Sequence, residues 1–200
     1  MTYRLKLGLA AALAVAGVSG PAYAQQFSDS YTFLKAVKER DGAKVETLIA
    51  TPGSVVINTR GRGDGEGALH IVTRRRDLTW LNYLTTKGAD ADIQNEEGNT
   101  PLAIAAQLGW LEGAEMLLRR GASVDHTNNR GETPLILAVQ LRNLPMVRLL
   151  LGKGADPKHS DSVAGYSAID YAKRDRRADA ILKLLEAPAK PDKEMVGPTL

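Results

Sequence analysis

Residues Gly98–Gly109 read GNTPLAIAAQLG, and Gly131–Arg142 read GETPLILAVQLR. Gly, Thr, Pro and Leu stand at the same offsets in both, and 131 − 98 = 33 residues separate the copies. A threonine hydroxyl caps a helix, and proline suits the first helical position, where a backbone N–H would have no partner in any case. Thr100-Pro101 and Thr133-Pro134 therefore predict two helix starts. Leu102, Ala105 and Ala106 lay an apolar stripe on the first helix, and the two alanines let a neighbouring element approach closely. Gly109 breaks the chain. A second helix is expected after it, with Leu111, Ala114, Leu117 and Leu118 on its buried side.

The same register extends outward to GEGALHIVTRRRDLTW from Gly65 and GYSAIDYAKRDRRADAILKLL from Gly165, with spacings of 33, 33 and 34. Gly88, Gly121 and Gly154 each close a Leu-rich helix as left-handed C-caps, with Lys or Arg immediately before them. Phe33–Ile49, FLKAVKERDGAKVETLI, fits the same helix pair without a Thr-Pro start. A period of this length marks a unit that cannot bury its apolar face alone and must stack on its neighbours.

Composition agrees. Hydrophobic residues make up 44% of the chain but aromatics only 5%, so the core is built of Leu, Ala, Ile and Val, as in closely packed helices. There is no cysteine, which excludes disulfides, thiolate metal sites, cysteine nucleophiles and a lipid-modified N-terminal cysteine. Arg4 and Lys6, the apolar run Leu7–Val18 and the small residues Ala22 and Ala24 form the pattern of a secretory signal peptide. Its twelve apolar residues span roughly 18 Å as a helix, short of a hydrocarbon core of about 30 Å. Cleavage is expected after Ala24, leaving Gln25 as the first residue, with the bacterial periplasm as destination. Removing Arg4 and Lys6 leaves 24 basic against 23 acidic residues, a net charge of +1. Bulk charge thus points neither to nucleic acid nor to anionic lipid.

The motifs G-x-TPL-x-x-A-(A/V), the paired leucines Leu117–Leu118 and Leu150–Leu151, and the segments GADAD, GASVD and GADPK resemble the ankyrin repeat over roughly residues 30–187. The resemblance implies an all-α solenoid of about five stacked helix-loop-helix units joined by short β-hairpin-like fingers. The units fall at about 28–64, 65–97, 98–130, 131–164 and 165–187, after a signal peptide at 1–24 and before a disordered tail at 188–200. Where the family carries histidine after TPL, this chain has Ala103 and Ile136. Only His70 keeps the position, so a histidine ladder is expected to be largely absent. The span TPGSVVINTRGRGDG implies a longer or floppier first finger.

Chemistry is sparse. His126 and His159 recur beside Asp125 and Asp156, but equivalent fingers stand too far apart to share one metal ion. GRGDGEG (Gly61–Gly67) lacks the lysine and the preceding strand of a phosphate loop. Arg74, Arg75 and Arg76, with Arg60 and Arg62, make a local cationic patch that suits a helix C-terminus. No nucleophile–base motif is present. The expectation is a non-enzyme with no cofactor and no metal, a monomer that binds a protein partner and neither nucleic acid nor, once the signal peptide is removed, a membrane.

Carried over from the family, the binding positions are the finger residues Glu96, Glu97, Asn99, Asn129, Arg130, Glu132 and Tyr166. To these are added the helix-end residues Arg74, Arg75, Gln107, Leu108, Gln140, Leu141, Arg174 and Asp175. Trp110 is a candidate anchor, as tryptophan is enriched in binding hot spots, or else an inter-unit core residue. The expected role is scaffold or stabilising partner of a periplasmic protein, with an inhibitor of the immunity type as the alternative and a metal-dependent or catalytic protein, or a passive structural protein of the envelope, as lesser ones.

Overall fold

The computed structural model describes residues 21–187. Most of the expected signal peptide (1–20) and the expected disordered tail (188–200) lie outside the described residues. The backbone of Ala24 and Gln25 belongs to the first helix. Ten α-helices occur among the described residues, in five consecutive pairs. They are α1 (Pro21–Glu39) with α2 (Gly42–Ala50), α3 (Ala68–Arg74) with α4 (Leu78–Thr86), and α5 (Pro101–Leu108) with α6 (Leu111–Arg119). The last two pairs are α7 (Pro134–Gln140) with α8 (Leu144–Gly152) and α9 (Ala168–Arg174) with α10 (Asp179–Leu185).

The Thr-Pro signals act as read. Thr100 accepts a hydrogen bond from the Ala103 amide at 3.2 Å, and Thr133 accepts one from the Ile136 amide at 3.3 Å. Pro101 and Pro134 occupy the first helical positions. Gly88, Gly121 and Gly154 have φ of 90°, 93° and 85°, the left-handed closure expected of them.

The first helices stack in chain order, α1 on α3 on α5 on α7 on α9, and α4, α6, α8 and α10 form a second layer behind them. Sandwiching between neighbours buries every residue of Pro101–Ala106 and of Pro134–Val139. Each Leu or Ile so enclosed contributes about 1.5–3 kcal/mol of apolar burial. On α6, Ala114 and Leu117 are fully buried, whereas Leu111 and Leu118 are half-buried at the edge of the core.

Fingers connect the units and are stitched to one another by main chain. The amides of Glu96, Asn129 and Ser162 donate to the carbonyls of Asp64, Glu97 and Arg130 at 2.9, 3.0 and 2.8 Å. That close approach needs glycine beside it. A Cβ at Gly98 would lie 2.6 Å from the Asn129 amide nitrogen, and one at Gly131 would lie 2.6 Å from that of Ser162. A parallel ladder explains the GAD and GAS segments. Asn58, Asp92 and Asp125 side chains accept from the amides of Asp90, Ser123 and Asp156 one unit later, at 2.8, 2.8 and 3.1 Å. In the fourth unit Lys158 stands in place of the acceptor.

The first finger departs from expectation. Its extra residues form a 3-10 turn (Val56–Asn58) with Val56 buried, and Arg60 bridges to Gly67 in antiparallel fashion. The Glu96 amide then ties Asp64 to the next finger. Gly61–Gly67 is therefore held on both sides and is not a floppy loop.

Candidate functional site

The face built by the fingers and by the C-terminal ends of the first helices collects the residues named above, but burial sorts them. Asn99 is 3% exposed, Trp110 6% and Glu132 3%, so all three leave the candidate surface. Trp110 closes the turn before α6, where Gly113 makes room for its ring; a Cβ on Gly113 would fall 2.1 Å from it. Its place is the inter-unit core.

Asn99 and Glu132 are polar residues buried by a network that sequence reading did not see. Asn128 donates from Nδ2 to Asn99 Oδ1 at 3.2 Å and to Glu132 Oε2 at 3.0 Å. Its own Oδ1 accepts from the amides of Arg130 and Glu132. Gln140 donates to Glu132 Oε1 at 3.2 Å, and the Arg130 guanidinium lies 3.5 Å from the same oxygen. Buried polar groups are tolerated only when paired in this way.

The network takes over what a histidine ladder would do. One rung of that ladder survives. The Gly67 amide donates to His70 Nδ1 at 3.0 Å, so the proton sits on Nε2, which donates to the Asn99 carbonyl at 2.9 Å. His70 is 0% exposed, and burial pushes its pKa down despite the Asn99 contact. Ala103 and Ile136 provide no such bond, and the Asn99–Asn128–Glu132 chain links the third and fourth units instead.

The exposed members remain. Glu96, Glu97, Asn129 and Arg130 stand on the finger tips, and Gln107 and Gln140 are exposed at the ends of α5 and α7. Leu108 and Leu141 are not equivalent. Leu108 packs half-buried against the core, and its carbonyl accepts from Arg76 at 2.6 Å. Leu141 is 54% exposed. Gly109 and Arg142, which follow them, share a left-handed backbone, and Arg142 reaches to Asp175.

Arg74 pairs with Glu66, and Arg75 donates to the Lys38 carbonyl at 2.7 Å and to Asp77 at 3.2 Å. Within the arginine run, Arg75 and Arg76 thus clamp the second unit to its two neighbours, whereas Arg74 pairs inside it. At the last finger, Tyr171 donates to Asp161 at 2.5 Å, and the Asp161 backbone-facing oxygen accepts from the amides of Val163, Ala164 and Gly165. Burial alone would raise the Asp161 carboxyl, but these donors hold it below the usual carboxylate range. Tyr166 meets Tyr171 edge-on at 5.6 Å, and the Arg174 guanidinium lies 4.6 Å above its ring. Sequence reading placed Tyr166 and Arg174 on the surface without seeing that they stack on each other.

His126 and His159 are half-exposed, and no group of three or more His, Asp or Glu that could hold a metal ion occurs among the described residues. No described helix is long and apolar enough to cross a membrane. A family model described as ankyrin repeats in three copies matches the chain at residues 33–128, 69–161 and 120–195.

Proposed function

This chain belongs to the ankyrin-repeat family, whose members generally serve protein–protein interaction and are typically non-enzymatic, and on that premise we propose that it is a periplasmic binding protein. Its rigid, finger-lined face holds another exported protein as scaffold or stabilising partner. The observation that supports this reading is Leu141. It is a large apolar side chain, 54% exposed, at the end of a helix whose residues Pro134–Val139 are all buried. It follows the exposed Gln140 at the C-terminal end of α7, on the face that also carries the finger tips. Because main-chain and side-chain bonds already order the fingers, association sacrifices little conformational freedom. Export is proposed on Arg4, Lys6, the apolar run Leu7–Val18 and Ala22 and Ala24.

Affinity capture from native periplasmic extract tests the reading, with the exported chain as bait and Leu141→Glu as a parallel bait of equal helicity. One protein retained by the first and lost by the second supports it. Retention that ignores Leu141→Glu contradicts the assigned surface. Mass spectrometry of the exported chain should find Gln25 at the N-terminus.

A further inference from the structure

We propose that Arg174, stacked on Tyr166 in the fifth unit, binds a carboxylate side chain of the partner protein. This rests on the binding reading above and assigns the chemistry of one of its contacts. The chain itself shows which group belongs at this place. In the second unit Arg74 donates to the Glu66 carboxylate, and in the fourth Gln140 donates to Glu132 Oε1 at 3.2 Å. In the third unit Asn99 turns to Glu97 and Asn128 instead. Counted from the opening glycines Gly65, Gly131 and Gly165, the fifth unit has Arg174 in the donor's place and Tyr166 in the acid's. The donor is kept and its carboxylate is replaced by a phenol ring.

Arg174 is consequently an exposed guanidinium with unused donors. It lies 4.6 Å over the Tyr166 ring and forms no hydrogen bond or ion pair among the described residues. A ring attracts the cation by its face but does not accept the N–H groups as a carboxylate does. The neighbouring acids are engaged elsewhere. Asp175 takes Arg142 at 2.9 Å, Asp170 takes the Ser167 hydroxyl at 2.6 Å, and Asp161 takes the Tyr171 hydroxyl and the amides of Val163, Ala164 and Gly165. These acids still count in the local charge, so Arg174 is set apart by its open donors and not by an excess of positive charge.

The donors are also held in place. Tyr166 meets Tyr171 edge-on at 5.6 Å, and Tyr171 donates to the buried Asp161 at 2.5 Å, so the ring beneath the guanidinium is tied to the last finger. A planar fork suits two parallel bonds to a carboxylate, and a preordered donor loses little freedom on binding. Arg174 and Leu141 each stand one residue from the Arg142–Asp175 bridge, which joins the ends of α7 and α9. The apolar contact and the charged one therefore lie at adjoining helix ends, and an acidic residue with an apolar neighbour meets both. A polyanion such as a nucleic acid or an anionic bilayer would meet Asp170 and Asp175 as well. A single carboxylate on a polypeptide meets the one guanidinium.

Selection of a random peptide phage library on the full chain, with counter-selection on Tyr166→Glu, provides the test. Tyr166→Glu restores the acid of the second and fourth units and occupies Arg174 from within. The selected peptides are expected to share an Asp or Glu. In fluorescence anisotropy, replacing that acid by its amide should weaken binding about tenfold, and Arg174→Gln should do the same at unchanged helicity. Arg174→Gln, at an exposed side chain, keeps the test decisive even where Tyr166→Glu folds poorly. Arg174→Lys keeps the charge without the fork and should restore only part of the binding. Arg176→Gln, at a nearby exposed side chain, should change nothing. No selected peptide, peptides that need no acid, or indifference to Arg174→Gln overturns the proposal. So does tighter binding of a DNA duplex or of anionic phospholipid vesicles at Arg174. If capture depends on Leu141 but ignores Arg174→Gln, the binding role stands and the carboxylate contact falls. If the peptides require Arg174 and capture ignores Leu141→Glu, the carboxylate contact stands and the Leu141 surface falls.

Discussion

The Arg40 guanidinium donates from Nε to Asp77 Oδ2 at 2.8 Å, tying the turn after α1 to the residue that caps α4. The device recurs along the stack. Arg76 reaches the Leu108 carbonyl at 2.6 Å, and Arg142 reaches Asp175 at 2.9 Å. All three arginines have left-handed backbone, with φ of 60°, 54° and 54°. Gly109 holds the equivalent position in the unit between, with φ of 64°. A non-glycine residue there costs about 1–2 kcal/mol, and the bridge to the next unit offsets part of it.

Asp77 is where that bridge is most exposed to test. It is buried, accepts the Trp80 amide at 3.3 Å, and binds Arg40 and Arg75. Asp77→Ala should lose about 1–3 kcal/mol in urea denaturation, because cap and pairing go together. Asp77→Asn keeps the cap and should lose less. Arg40→Ala, at a side chain 60% exposed, should cost under about 1 kcal/mol. Burial alone would raise the Asp77 carboxyl, but Arg40, the Trp80 amide and Arg75 outweigh it and hold the group below its ordinary value. Its stabilisation is therefore complete above the ordinary carboxylate pKa of about 4 and is lost as pH falls through the lowered folded value.

His70 gives a second pH dependence. Burial lowers its folded pKa below the ordinary value of 6.5, so the unfolded chain binds the proton more readily. The neutral ring's contribution is complete above about pH 6.5 and declines as pH falls toward the folded value. The wild-type denaturation midpoint should therefore drop between pH 7.5 and 5.5 by more than that of His70→Gln. Parallel curves for the two proteins would mean that His70 does not titrate with unfolding.

Thr73 offers a gain. Its Oγ1 is buried without a hydrogen-bond partner, and Ala106 and Val139 hold the same register in the next two units. An unsatisfied buried hydroxyl costs about 1–3 kcal/mol. Thr73→Val keeps the shape and should raise stability by about 1 kcal/mol. A loss on that substitution would show the hydroxyl to be paired.

The parts of this structure written in local chemistry were legible in the sequence. Thr100-Pro101 specifies a helix start from adjacent residues alone, and Gly121 specifies a helix end in the same way. Leu141 and Leu108 carry the same letter at the same register and are followed by residues with the same left-handed backbone, yet Leu141 is exposed and Leu108 packs against the core. Asn99 and Glu132 read as surface polar residues and are buried, since only the stacking of two fingers brings Asn128 between them. Arg40, Arg76 and Arg142 stood at 36- and 66-residue spacings, a periodic signal that was available and unread.

Gly131 and Gly165 separate the two reasons for glycine in the fingers. Their backbones match, with φ of 71° and 68°. A Cβ at Gly131 would lie 2.6 Å from the Ser162 amide nitrogen, whose bond to Arg130 joins the fingers, while at Gly165 no described atom lies within 4 Å. Gly165→Ala therefore reports the left-handed backbone alone, about 1–2 kcal/mol. Gly131→Ala adds the displaced neighbour and the strained bond, about 1–3 kcal/mol more. Urea denaturation of the two variants checks the difference. Equal losses would show that the next finger moves aside at no cost, and the main-chain stitching would then contribute nothing to the stack.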